Sequence, residues 1–104
     1  MFDNILSVNS ASPVVLKLYV SGDGPRSQGA IRRLRELCSL HQECQVEIVD
    51  VNEQPARAEQ ERILATPTLV RESPPPVRRI VGDLTDTTTL LMLLDLREPI
   101  EETL

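Results

Sequence analysis

The chain has 104 residues, enough for one small domain with little core to spare. A formal net charge of −5 argues against a nucleic-acid partner, since phosphate neutralisation needs clustered Lys and Arg, and an aromatic content of 2% leaves no platform for base stacking. No segment approaches the ~18 to 20 apolar residues of a membrane span, and the opening Met1-Phe2-Asp3-Asn4-Ile5-Leu6-Ser7 has neither a basic start nor a signal-peptide apolar run, so a cytoplasmic location and no membrane partner are expected.

Residues 1–12 are small, polar and without pattern, and are expected to form a flexible arm ahead of a domain spanning 13–97. Val14 to Val20 is a β-rich run closed by Ser21-Gly22-Asp23-Gly24-Pro25, the pattern of a buried strand ending in a loop. From Ser27 onward Ile31, Leu34, Leu37 and Cys38 recur at helical spacing, with Arg32, Arg33, Arg35 and Glu36 on the other faces. Val46 to Val51 is a second strand, and a β-α-β crossover of this length implies parallel pairing with the first. Pro55 suits a helix N1 position and residues 56–62 are good helix formers, but the segment carries hardly any apolar stripe. Residues 68–71 and 77–81 read as a hairpin whose connection, Ser73-Pro74-Pro75-Pro76, cannot donate to a ladder. After Gly82-Asp83, residues 85–94 mix β-branched residues that favour strand with leucines that favour helix. Residues 98–104 form an acidic tail.

Little in the chain points to catalysis. Gly22-Asp23-Gly24-Pro25-Arg26 precedes a helix but lacks the Gly-Lys-Ser/Thr ending of a phosphate cradle. His41 is the only histidine and has no triad or ligand set around it. Cys38 and Cys44 match neither a redox Cys-x-x-Cys nor a zinc half-site; in a cytoplasmic chain they are expected to be small, half-buried, reduced thiols. No metal and no cofactor are expected.

Ala65-Thr66-Pro67-Thr68-Leu69 places an X-Pro bond, which reaches cis readily, where a strand should begin after a β-α-β-α pattern. That is the position of the cis-proline in thioredoxin-like folds, so the fold class expected is α/β, thioredoxin-like, in the order βαβαββα. The loop that faces this proline in redox members, residues 19–27 here, contains no cysteine. A thiol or glutathione-binding redox protein is the alternative function on this scaffold, but it would need a nucleophilic thiol that Ser21 and Ser27 cannot supply.

Taken together, Leu16-Lys17-Leu18-Tyr19-Val20-Ser21-Gly22, Val49-Asp50-Val51, Ile63 to Leu69, Pro74 to Leu84 and Leu94-Asp95-Leu96 resemble the KaiB family of circadian clock proteins, from about residue 14 to 97. The resemblance implies a non-enzymatic partner of KaiC, a hexameric ATPase, whose phosphorylation and ATPase cycle it modulates. KaiA or a clock histidine kinase are implied as further partners. It also implies two folds for one sequence: a self-associating ground state, dimer or tetramer, in the order βαββααβ, and a thioredoxin-like state that binds KaiC. The partner surface would lie near Arg62, Arg78 and Arg79. Thr66, Pro67, Pro74, Pro75, Pro76, Gly82 and Asp83 would be structural and fold-switch positions, with substitution at Gly82 or Asp83 expected to favour the binding-competent fold. Gly29 and Glu53 stand where the family usually has a basic residue, which marks this chain as a divergent relative.

Overall fold

A computed structural model describes residues 13–40 and 43–82; the calls on 1–12, His41, Asp83, the 85–94 segment and the acidic tail fall outside them. Strand β1 (Val14–Val20) lies in the interior of a four-stranded sheet of order β2-β1-β3-β4, between β2 (Cys44–Asp50) and β3 (Thr68–Ser73). It pairs parallel with β2, Val14 opposite Cys44 through Val20 opposite Asp50, and antiparallel with β3. Strand β4 (Arg78–Val81) pairs antiparallel with β3. This is the expected thioredoxin-like arrangement over its first six elements.

Both faces of β1 are covered, which is why its sequence is nearly continuous in apolar residues. Val14, Leu16, Leu18 and Val20 face helix α1 (Pro25–Ser39) and pack with Ala30, Leu34, Leu37 and Leu69. Each fully buried leucine there stabilises by roughly 2 kcal/mol. Helix α1 starts at Pro25, two residues before the sequence suggested, because Pro at N1 has no amide hydrogen to leave unpaired. It ends as the Leu40 N–H returns to the Leu37 carbonyl at 3.1 Å. Tyr19, Val49 and Val70 point to the opposite face and meet Val51 and Ile63.

Strand β2 begins at Cys44 rather than Val46, anchored by a 2.7 Å bond from the Val14 N–H to the Glu43 carbonyl. Cys44 thereby meets the last turn of α1, and the expectation of two reduced thiols is corrected: Cys38 and Cys44 form a disulfide with Cα atoms 5.5 Å apart. The two cysteines are six residues apart in sequence, a spacing that fits neither motif yet closes a bond here. The helix end and strand start fold back on each other across the intervening turn, bringing both Cβ atoms within bonding reach.

The second half is built differently. Helix α2 (Pro55–Gln60) buries none of its residues. It is held to β2 by a bidentate pair, Arg57 Nη1 to Glu47 Oε2 at 2.6 Å and Arg57 Nη2 to Glu47 Oε1 at 3.1 Å. Thr66–Pro67 is cis, as are Ser73–Pro74 and Pro75–Pro76. In the connection between β3 and β4 the Pro76 carbonyl accepts a 2.9 Å bond from the buried Arg71 side chain. Between Val15 and Leu16 the register with β3 shifts, leaving Glu72 as the extra residue, and Glu72 pairs with Lys17 at 3.7 Å.

Candidate functional site

The loop where a thioredoxin-like scaffold would carry its redox cysteines is locked by hydrogen bonds instead. The Asp50 carboxylate accepts from the Gly22 N–H at 3.2 Å and the Asn52 N–H at 2.9 Å. Asn52 Nδ2 donates to Ser21 Oγ at 3.1 Å, and the buried Ser27 hydroxyl donates to the Ser21 carbonyl at 3.1 Å. Gly22 takes φ +74, a conformation that suits only glycine well, so the turn is set by backbone geometry. Nothing in this loop can act as a thiolate nucleophile.

A second surface forms where α2 ends. The Arg62 N–H bonds to the Glu59 carbonyl at 3.1 Å and the Ile63 N–H to the Ala58 carbonyl at 2.9 Å, the double bond pattern of a Schellman cap. The left-handed position of such a cap is usually glycine, yet here it is Arg62, with φ +56. A non-glycine side chain held there costs about 1 kcal/mol. Arg79 reaches back to the same turn, donating from Nη2 to the Glu61 carbonyl at 2.8 Å and from Nη1 to the Arg62 carbonyl at 3.2 Å. Its Nη2 also lies 3.9 Å from the Glu61 carboxylate.

Of the three arginines expected to act together, the structure unites two and separates the third. Along β4 side chains alternate, so Arg79 and Val81 share a face, while Arg78 shares the other with Ile80, which packs on the α1 side. Arg62 and Arg79 meet on the α2 side, and Arg78 is exposed on the opposite one. The Gly82 N–H bonds to the Pro67 carbonyl at 2.9 Å, tying the end of β4 to the 63–67 segment. Gly82 has φ +109. A Cβ there meets no atom within 4 Å, but the backbone angle is one L side chains rarely adopt, so alanine carries a strain in this fold that sets a cost against the effect expected of Gly82→Ala.

The residue that sequence reading missed is Leu64, 95% exposed between Arg62 and cis Pro67. Ile63 and Leu64 read alike as apolar, but an extended segment can bury only one of two neighbours, and Ile63 takes the core position. Val81 is also largely exposed. An apolar side chain in full solvent two residues from Arg62 has the composition of an interface anchor with a polar rim. Gly29 and Glu53 present no cation: Gly29 opens onto free space and Glu53 lies exposed after β2. Among the described residues no group of His, Cys, Asp or Glu could hold a metal ion, and no helix is long and apolar enough to cross a membrane.

The KaiB domain model matches residues 17–96. The chain is 47% identical over 85 residues to the circadian clock protein KaiB3 of Synechocystis sp., covering 80% of this chain and 83% of that protein. Among solved structures, the N-terminal domain of Synechococcus elongatus SasA superposes with a TM-score of 0.67 at 28% identity, covering 86% of this chain and 90% of that one. Oxidised mitochondrial thioredoxin 3 of Saccharomyces cerevisiae reaches the same TM-score at 15% identity, covering 92% and 90%, a likeness of fold alone.

Proposed function

This chain belongs to the KaiB family, and from that premise we propose that it is a non-enzymatic clock-type regulator, cytoplasmic, that binds a KaiC-like hexameric ATPase and modulates its phosphorylation and ATPase cycle. The observation that carries the reading is a thioredoxin-like scaffold whose redox loop is closed by Asp50 and Ser27 and holds no thiol, while the neighbouring end of the sheet carries an exposed Leu64 between Arg62 and Pro67. The arrangement suits docking and lacks the nucleophile of a thiol enzyme. Arg62 supports the reading further, since the side chain occupies a position where glycine would be more stable.

Arg62, Leu64 and Arg79 form the centre of the proposed contact, with Arg78 on the far face of β4. Arginine is the cation suited to bidentate contact with carboxylates on a partner. KaiA or a clock histidine kinase would be further partners, and the ground state would self-associate as a dimer or tetramer. Residues 53 to 96 are proposed to exchange between this fold and the βαββααβ ground state. Support comes from an α2 that buries no residue and depends on polar ties and an αL arginine, which lowers the cost of repacking that segment. Gly82 and Asp83 are the proposed control points. The competent state's fractional population then scales the apparent affinity, and Gly82→Ala, by straining it, should weaken binding.

Pull-down of a KaiC-type ATPase ring, with and without nucleotide, tests the function. Capture by wild type and loss of capture by Leu64→Asp, with the variant's circular dichroism unchanged, is the expected result. Absence of capture under every nucleotide condition would falsify the reading.

A further inference from the structure

The disulfide lies at the opposite end of the sheet from the loop just described. Cys44 opens β2 opposite Val14, whereas Thr66–Pro67 and the 21–27 loop lie near Tyr19 and Val20 at the other end of β1. Six residues of strand at about 3.3 Å each put roughly 20 Å between them. This pair is not a displaced thioredoxin centre.

Several features make it chemically accessible. Both cysteines are half-buried and line an open groove of about 300 Å³ with Arg35, Ser39 and Val46. Arg35 lies one helical turn before Cys38, on the same face, and lines the same groove. The bond joins the last turn of α1 to the first residue of edge strand β2, across a turn whose Glu43 carbonyl accepts from the Val14 N–H.

We propose that Cys38–Cys44 is a reversible thiol–disulfide site that exchanges with dithiol reductants and sets how firmly the start of β2 is held to α1. A thiolate of the reductant attacks one sulfur of the pair. The protein S–S bond breaks, its electron pair passes to the other cysteine sulfur, and that sulfur takes up a proton. The reductant's second thiol, as thiolate, then attacks the mixed disulfide. It releases the second cysteine, which is protonated in turn, and leaves the reductant as its own disulfide. Two protein thiols form and one dithiol is oxidised. The site is independent of the docking surface and stands whether or not the chain binds a ring ATPase.

The full chain, equilibrated in oxidised or reduced glutathione and then exposed to dithiothreitol without denaturant, is alkylated and weighed intact. The expected result is no alkylation after oxidation, two alkyl groups after brief native reduction, and recovery of the oxidised mass when the reductant is replaced by oxidised glutathione, which is reduced in turn. Amides of Val14 and Cys44 should exchange about tenfold faster in the reduced form, and in Cys38→Ser and Cys44→Ser whatever the redox buffer. Two free thiols after oxidation would overturn the proposal. So would a bond that opens only in denaturant, or one whose opening leaves the Val14 and Cys44 amides unchanged.

Discussion

Residues 14–50 and the α2 segment, residues 55–62, adjoin one sheet but are held by different forces. The first half is a sandwich of β1, β2 and α1 with Leu16, Leu18 and Leu34 fully buried, and hydrophobic burial fixes it. In the second, α2 buries nothing and is tied down by Arg57 to Glu47 and by Arg79 to two carbonyls. Polar ties at a surface are each worth about 1 kcal/mol or less, so α2 and its cap can be rearranged at small cost, whereas Leu69 and Val70 of β3 are buried against β1 as firmly as the first half. The contrast makes α2 and its cap the part that moves at least cost, which supports the proposed exchange of residues 53 to 96.

The sharpest way to break the comparison is Leu34→Ala, which should cost about 3 kcal/mol in urea unfolding, against about 1 kcal/mol for Glu59→Gly on exposed α2. Equal costs would mean that the two halves are equally packed. Next in size, Arg79→Ala removes both bonds to the α2 cap and should destabilise by about 1 kcal/mol, with amide exchange rising first at Arg62 and Ile63. A smaller effect separates structure from function: Arg62→Gly relieves the αL position, so stability should change by less than about 1 kcal/mol while capture of a KaiC-type ring falls. Unimpaired capture would remove Arg62 from the contact.

The smallest effect is a pH dependence rooted in the face opposite α1. Burial raises the Tyr19 phenol above its ordinary value of 10.0, Glu61 adds to the rise, and nearby Arg57 opposes it. A group that holds its proton more tightly when folded contributes fully below its unfolded pKa and loses that contribution as pH rises through the folded one. Stability should therefore fall above about pH 10 more steeply in wild type than in Tyr19→Phe, as urea melts on either side of that pH would show.

The first half was largely legible in the sequence, because Val14 to Val20 and the Leu34, Leu37 spacing state a period and a buried face directly. The cis Thr66–Pro67 bond and the prolines at 74–76 were legible for a related reason, since proline restricts its own backbone. What escaped was set by tertiary approach. The disulfide depends on how far α1 turns back onto β2, the αL conformation of Arg62 on a cap that usually takes glycine, and the split of Arg78 from Arg79 on strand alternation that a two-residue Arg pair conceals.

Amide NMR of the isotope-labelled wild type beside Gly82→Ala tests the central claim most directly. The account predicts two slowly exchanging sets of peaks for residues after 52, a single set for residues 14–50, and in Gly82→Ala a shift of population away from the set whose Gly82 amide is bonded to Pro67. A single set throughout both proteins, with β3 and β4 paired as here, would contradict it.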